Sequence, residues 1–226
     1  MATVQAPVEQ RLLFPRVSWS DYVRFSDLLD QRHVRVTYDG TRMEFMTVSP
    51  EHERAKKLLD RLLAVLTEEL DLDIAGFGSM TCRREDLNRG LEPDECYWVK
   101  NEPKVRGRTD IDLSRDPPPD LVLEVEISRS TLDRMAIYAR LGVPEVWRWD
   151  GQTLHVCLLQ PDGTYAESQQ SQAFPFLPMK EVERFLRDGA RLREAELLRR
   201  FRKWVRQRLV RKRKPAARRT RKKKES

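Results

Sequence analysis

Residues 117–128, "PPPDLVLEVEIS", alternate acids with aliphatics: Asp120, Glu124 and Glu126 share one parity, and Leu121, Leu123, Val125 and Ile127 the other. Residues two apart on a strand face the same way, so the stretch predicts a strand over 119–128 with an apolar face and a carboxylate face. Ionised carboxylates are costly to bury unless cations or hydrogen-bond donors meet them. Two readings follow. Either the acids converge on a divalent cation, for which an all-oxygen donor set suits Mg²⁺ or Mn²⁺, or they face water from a sheet with one solvated side.

The surroundings of this strand narrow the architecture. "SWSDYVRFSDLLDQR" (18–32) has Ser and Asp near its start and apolar residues at helical spacing. "HVRVTYDGTRMEFMTV" (33–48) alternates on both sides of Asp39-Gly40, a hairpin signal. "SPEHERAKKLLDRLLAVLTEELD" (49–71) puts Leu58, Leu59, Leu62, Leu63, Leu66 and Leu70 on one stripe of an amphipathic helix. Strand-like segments at 73–83 and 94–99 precede the acidic strand, and a helix over 130–142 and a hairpin turning at Asp150-Gly151 follow it. This order predicts an α/β fold, a mixed β-sheet flanked by helices.

Charge divides the chain. Of 43 Lys and Arg, 16 lie in residues 199–226 against a single acid, Glu225, whereas residues 1–198 carry more acids than bases. The expected division is a leader over 1–16, one domain over 17–185, a basic amphipathic helix over 186–214 and a disordered basic tail over 215–226. Such a tail suits phosphate contacts on nucleic acid with little sequence information; charge alone equally describes a solvated end. Cys82, Cys96 and Cys157 are few, odd in number and widely spaced, which points to reduced thiols and a cytoplasmic setting. Neither a spanning segment nor a secretory leader is expected. Gly-rich phosphate loops, GxSxG and HExxH are absent from the sequence.

"SPEHER", "EPDECYW", "PPPDLVLEVEIS" and "STLDRMAIYARLGVPEVWRWDG", in this order, resemble the Uma family of restriction endonucleases, bacterial members of the PD-(D/E)xK nuclease superfamily. The resemblance runs over roughly 17–185 and implies a restriction-endonuclease-like fold. It also implies two metal-binding acids, Asp94 after a proline and Glu124 on the acidic strand. Glu126 then stands where the superfamily pattern usually has its lysine, as a metal ligand or general base. Arg134 holds the place to which that lysine moves in some relatives; permanently charged, it suits phosphate stabilisation rather than base chemistry. Glu44 falls where a further acid is supplied, as a second metal ligand or a solvated strand residue. His52 is either a cap or surface residue at a helix start or a phosphate contact, Asp120 is a lesser metal candidate, and Tyr138 is expected to pack in the core.

The leading expectation is thus a Mg²⁺- or Mn²⁺-dependent DNA endonuclease, with RNA the other candidate substrate and a homodimer implied by analogy. A nuclease fold that lost catalysis and kept nucleic-acid binding is the alternative. A scaffold whose acidic face meets a basic partner is a third.

Overall fold

The computed structural model describes residues 9–29 and 32–210. In chain order the elements are β1 (Arg11–Pro15), α1 (Trp19–Leu29), β2 (Val34–Tyr38), β3 (Arg42–Thr47), α2 (Pro50–Leu70), β4 (Ala75–Gly76), β5 (Cys82–Arg84), β6 (Arg89–Leu91), β7 (Glu95–Trp98), α3 (Glu102–Val105), β8 (Leu121–Val125), α4 (Arg134–Leu141), β9 (Glu145–Trp149), β10 (Leu154–Leu159), β11 (Tyr165–Ser168), α5 (Met179–Asp188) and α6 (Glu194–Val205), which runs into a π-turn at Arg206–Val210. They build two sheets rather than one. The first is antiparallel, ordered β1-β3-β2-β6-β5; the second is mixed, ordered β11-β10-β9-β8-β7-β4.

The expected strand over 73–83 is split between these sheets. β4 pairs with β7 in the second sheet and β5 with β6 in the first, and between them Gly78 takes φ 61°, a left-handed turn natural to glycine. The expected leader is structured from Arg11 onward, because β1 pairs along β3 and places Leu13 opposite Glu44. α1, α2, both hairpins and α4 lie where the periodicity predicts them, within a few residues.

The acidic strand is central in its sheet, antiparallel to β7 and parallel to β9, with α4 as the crossover between the parallel pair. Its odd residues Leu121, Leu123 and Val125 pack with the leucines of α2 and with Phe185 and Phe201. Its even residue Val122 packs on the other side with Ile137 and Tyr138 of α4. Each fully buried leucine or phenylalanine contributes about 1.5–3 kcal/mol of transfer energy, so the odd-residue face fixes the strand's register. The even-residue face is left for the acids.

The basic helix expected over 186–214 begins as two elements, α5 and α6, separated at residues 189–193. It is no appendage: Leu197, Phe201, Val205 and Leu209 belong to the main core, and Arg202 and Arg206 pair with Glu69 of α2. The tail expected over 215–226 lies outside the described residues. Among the described residues, no helix is long and apolar enough to cross a membrane.

Candidate active site

Asp94 directly precedes β7. The antiparallel register pairs Glu95 with Leu123, so one residue outward Asp94 stands opposite Glu124. Opposed residues of such a pair share a face, with Cβ atoms roughly 5 Å apart. Both carboxylates are buried, and each has its own set of donors. Asp94 Oδ1 accepts from His52 Nε2 at 2.7 Å, and Oδ2 accepts from the Val125 backbone N–H at 2.7 Å. Glu124 Oε1 accepts from Arg134 Nη2 at 2.6 Å and from the Tyr138 hydroxyl.

The α4 crossover explains the second pair of donors. Asp133 caps the helix by accepting from the Ala136 N–H, and Gly142 ends it in a left-handed conformation. Arg134 and Tyr138 are one helical turn apart, so they descend side by side onto Glu124. Arg134 also donates to Thr37 Oγ1 at 2.7 Å and to the Glu92 carbonyl at 2.9 Å, which ties α4 to β2 and to the approach to β7. Its Nε is buried and finds no hydrogen-bond partner among the described residues. Tyr138 is therefore both core residue and site residue. Its spacing from Arg134 was the available signal.

The electrostatics separate the two acids. Burial, and after it the charge of Asp94, push the Glu124 carboxyl up against the pull of Arg134. Burial acts on Asp94 in the same sense, but the His52 hydrogen bond and charge, the Val125 N–H and Arg134 outweigh it and hold this carboxyl low. Burial opposes a charged His52, yet the bonds to Asp94 and Glu9 raise it to about 9, so the ring is an imidazolium near neutrality.

The other predicted residues divide. Glu126 lies on the same side as Glu124 and pairs with Arg148 of β9. Glu44 is buried and fully engaged: Oε1 accepts from Arg11 Nη1 and Ser130 Oγ, and Oε2 from the Thr131 N–H, each at 2.8 Å. It thus holds the loop between β8 and α4, with both of its oxygens engaged. Asp120, the lesser metal candidate, accepts from the Val99 and Asn101 backbone N–H groups and from Asn101 Nδ2, and so organises the chain after β7. His52 is neither a cap nor a surface residue, since Ser49 caps α2 and the imidazole is buried between two carboxylates. Sequence reasoning missed Glu9, Arg11 and Arg148, for which no local pattern exists.

A cleft of about 440 Å³ opens over these groups, walled by Glu124, Glu126, Arg11, Arg129, Arg134 and Arg148. Four guanidinium groups against three acids, Glu124, Glu126 and Asp133, suit an anionic ligand such as a phosphodiester. Among the described residues, no three His, Cys, Asp or Glu side chains form a ready-made metal cage. Two carboxylates nevertheless match the chemistry of Mg²⁺, which takes one or two of them and completes its shell with water and substrate phosphate. A carboxylate offers about four acceptor positions, so Asp94 retains capacity on both oxygens, and Glu124 Oε2 carries no hydrogen bond among the described residues. The donor set fits, with the Arg134 guanidinium as the cation now beside Glu124.

The family model Uma2, "putative restriction endonuclease", matches residues 19–195. No curated protein matches the chain. Restriction-endonuclease-like families act on nucleic acid and generally use divalent metals, and the helix-flanked two-sheet α/β fold accords with that assignment. Because the match covers well over half of the sequence, the chain belongs to the Uma2 family, whose description supports a nuclease hydrolase in general.

Proposed function

We propose that the protein is an endonuclease that hydrolyses DNA phosphodiester bonds with Mg²⁺ or Mn²⁺ held by Asp94 and Glu124. The observation that carries this reading is the opposition of two buried carboxylates on neighbouring strands, beside an arginine-walled cleft. A bound ion would polarise the phosphate and lower the pKa of an attacking water. The remaining work falls to the chain. Asp94, kept ionised by His52, supplies permanent negative charge, while Glu124 faces the cleft with one oxygen unengaged. Arg134 stays charged at any working pH and stabilises negative charge growing on the phosphate. Arg11, Arg129 and Arg148 hold neighbouring phosphates, and Glu126 orients Arg148. Residues 211–226, with ten Lys and Arg and one acid, add salt-dependent affinity for the nucleic-acid backbone. A homodimer and a cytoplasmic setting belong to the same reading.

Plasmid nicking with Mg²⁺ or Mn²⁺ against chelator tests it, with an RNA of matched length as the competing substrate. Glu124→Ala should slow nicking about 100-fold or more, the loss of roughly 3 kcal/mol of transition-state stabilisation. A chain ending at Val210 should bind DNA more weakly, with a shallower salt dependence, and still cleave. Undiminished cleavage by Glu124→Ala would discard the site.

A second reading rests on a specific observation. Glu126 stands where a lysine is expected and is committed to Arg148, and Arg134 is ion-paired with Glu124. These pairings also describe a nuclease fold that binds nucleic acid without cutting it. Intact DNA binding without nicking under any metal would select that alternative.

A further inference from the structure

We infer that Glu9 is a positioning residue for Asp94, acting through His52, so that the segment entering β1 completes a site whose matched family region begins only at residue 19. The inference rests on the reading of Asp94 as a metal carboxylate only for its consequence in metal affinity. The positioning itself is a matter of geometry.

Asp94 stands opposite a second carboxylate in a buried setting, where two like charges repel and the side chain tends to turn away. Two hydrogen bonds keep it in place, one from the Val125 N–H and one from His52 Nε2, with Arg35 Nε a looser ion-pair partner at 3.9 Å. The backbone bond is anchored by β8, whereas the histidine bond is only as firm as the ring's orientation. That orientation comes from the other nitrogen, since His52 Nδ1 meets Glu9 Oε1 at 2.8 Å. Glu9 is in turn held by the Ser128 hydroxyl on its second oxygen, and Arg11 Nε and Nη2 bond the Ser128 hydroxyl and carbonyl at 3.0 and 2.9 Å.

The result is a closed circuit. It runs from Val125 at the end of β8 through Asp94, His52 and Glu9 to Ser128, three residues beyond Val125 on the same chain. The side chains of Glu9, His52 and Asp94 are all 2 % exposed or less, so water does not substitute for any of these bonds. Partners of this kind orient metal carboxylates, and their loss typically lowers metal affinity about 10–100-fold.

Glu9→Gln in the full chain is the test, with Leu12→Ser on the exposed side of β1 as the control. Two quantities are measured: hydrogen exchange of the Val125 amide in metal-free protein, and Mn²⁺ affinity by calorimetry. Glu9→Gln should speed Val125 exchange about tenfold relative to other β8 amides and weaken Mn²⁺ binding about 10–100-fold. Leu12→Ser should do neither. Glu9→Asp, which keeps the charge and shortens the reach, should give a smaller loss of the same sign, and it decides the matter if Glu9→Gln does not fold. Unchanged exchange with unchanged affinity would overturn the inference. So would an acceleration spread evenly over β7 and β8, the mark of a merely structural role. If wild-type protein binds no Mn²⁺, the metal reading falls, and Val125 exchange alone then judges Glu9.

Discussion

Asp120, directly before β8, and Glu124, on it, share one parity and are equally buried, at 9 % and 8 % exposure, yet their surroundings differ. Asp120 is met by three neutral N–H donors from Val99 and Asn101 and makes no ion pair among the described residues. Glu124 is met by a guanidinium and a phenol and is opposed by another carboxylate. Burial alone therefore does not mark a reactive acid. What separates the two is whether the surroundings satisfy the charge with neutral dipoles or hold it in balance against other mobile charges.

The largest expected effect breaks that balance. Arg134→Met removes the cation beside Glu124 and leaves a buried carboxylate facing Asp94, so chemical denaturation should show a loss of about 3–5 kcal/mol at neutral pH. The loss should shrink as the pH falls and Glu124 becomes protonated. A loss under 1 kcal/mol would show that solvent already reaches Glu124.

Titration gives the next effect. His52 is raised when folded, so its contribution to stability is complete below its unfolded pKa of about 6.5 and is lost as the pH rises through about 9. In metal-free protein this window should cost on the order of 3 kcal/mol, and the loss should be absent in His52→Gln. Seen from Asp94 and Glu9, whose carboxyls are held low, the same bonds fail at the acid end.

Asp120→Asn sharpens the contrast from the other side. It sets an amide against Asn101 Nδ2 and should lower stability by about 2 kcal/mol, while the folded fraction nicks DNA at the wild-type rate. Loss of cleavage without loss of stability would return Asp120 to the site. The smallest effect belongs to Glu126→Gln, whose partner Arg148 is partly solvated; stability should change by less than about 1 kcal/mol and nicking by less than about tenfold.

Period and charge by themselves determined much of this protein. The alternation in "DLVLEVEIS" set one face of β8 toward the α2 leucines and the other toward α4, because the side-chain period of a strand is two and apolar burial tolerates no slip. The stripe on 49–71, the Asp-Gly turns and the glycine ending α4 were equally local, and so were legible. The Asp94-Glu95 pair, opening a strand after a proline, could meet the acidic strand at neighbouring ends, but only resemblance to a family matched Asp94 with Glu124, since no spacing rule joins residues 30 apart.

Tertiary structure decided the rest. The break of 73–83 into strands of two sheets, the burial of α6 in the main core, and the hydrogen bonds that Glu44 and Asp120 accept from neighbouring loops all depend on long-range partners. So does the Glu9–His52–Asp94 circuit, drawn from three segments far apart in the chain. A carboxylate's role is set by the donors and charges that surround it in space, and a chain read in order does not contain that neighbourhood.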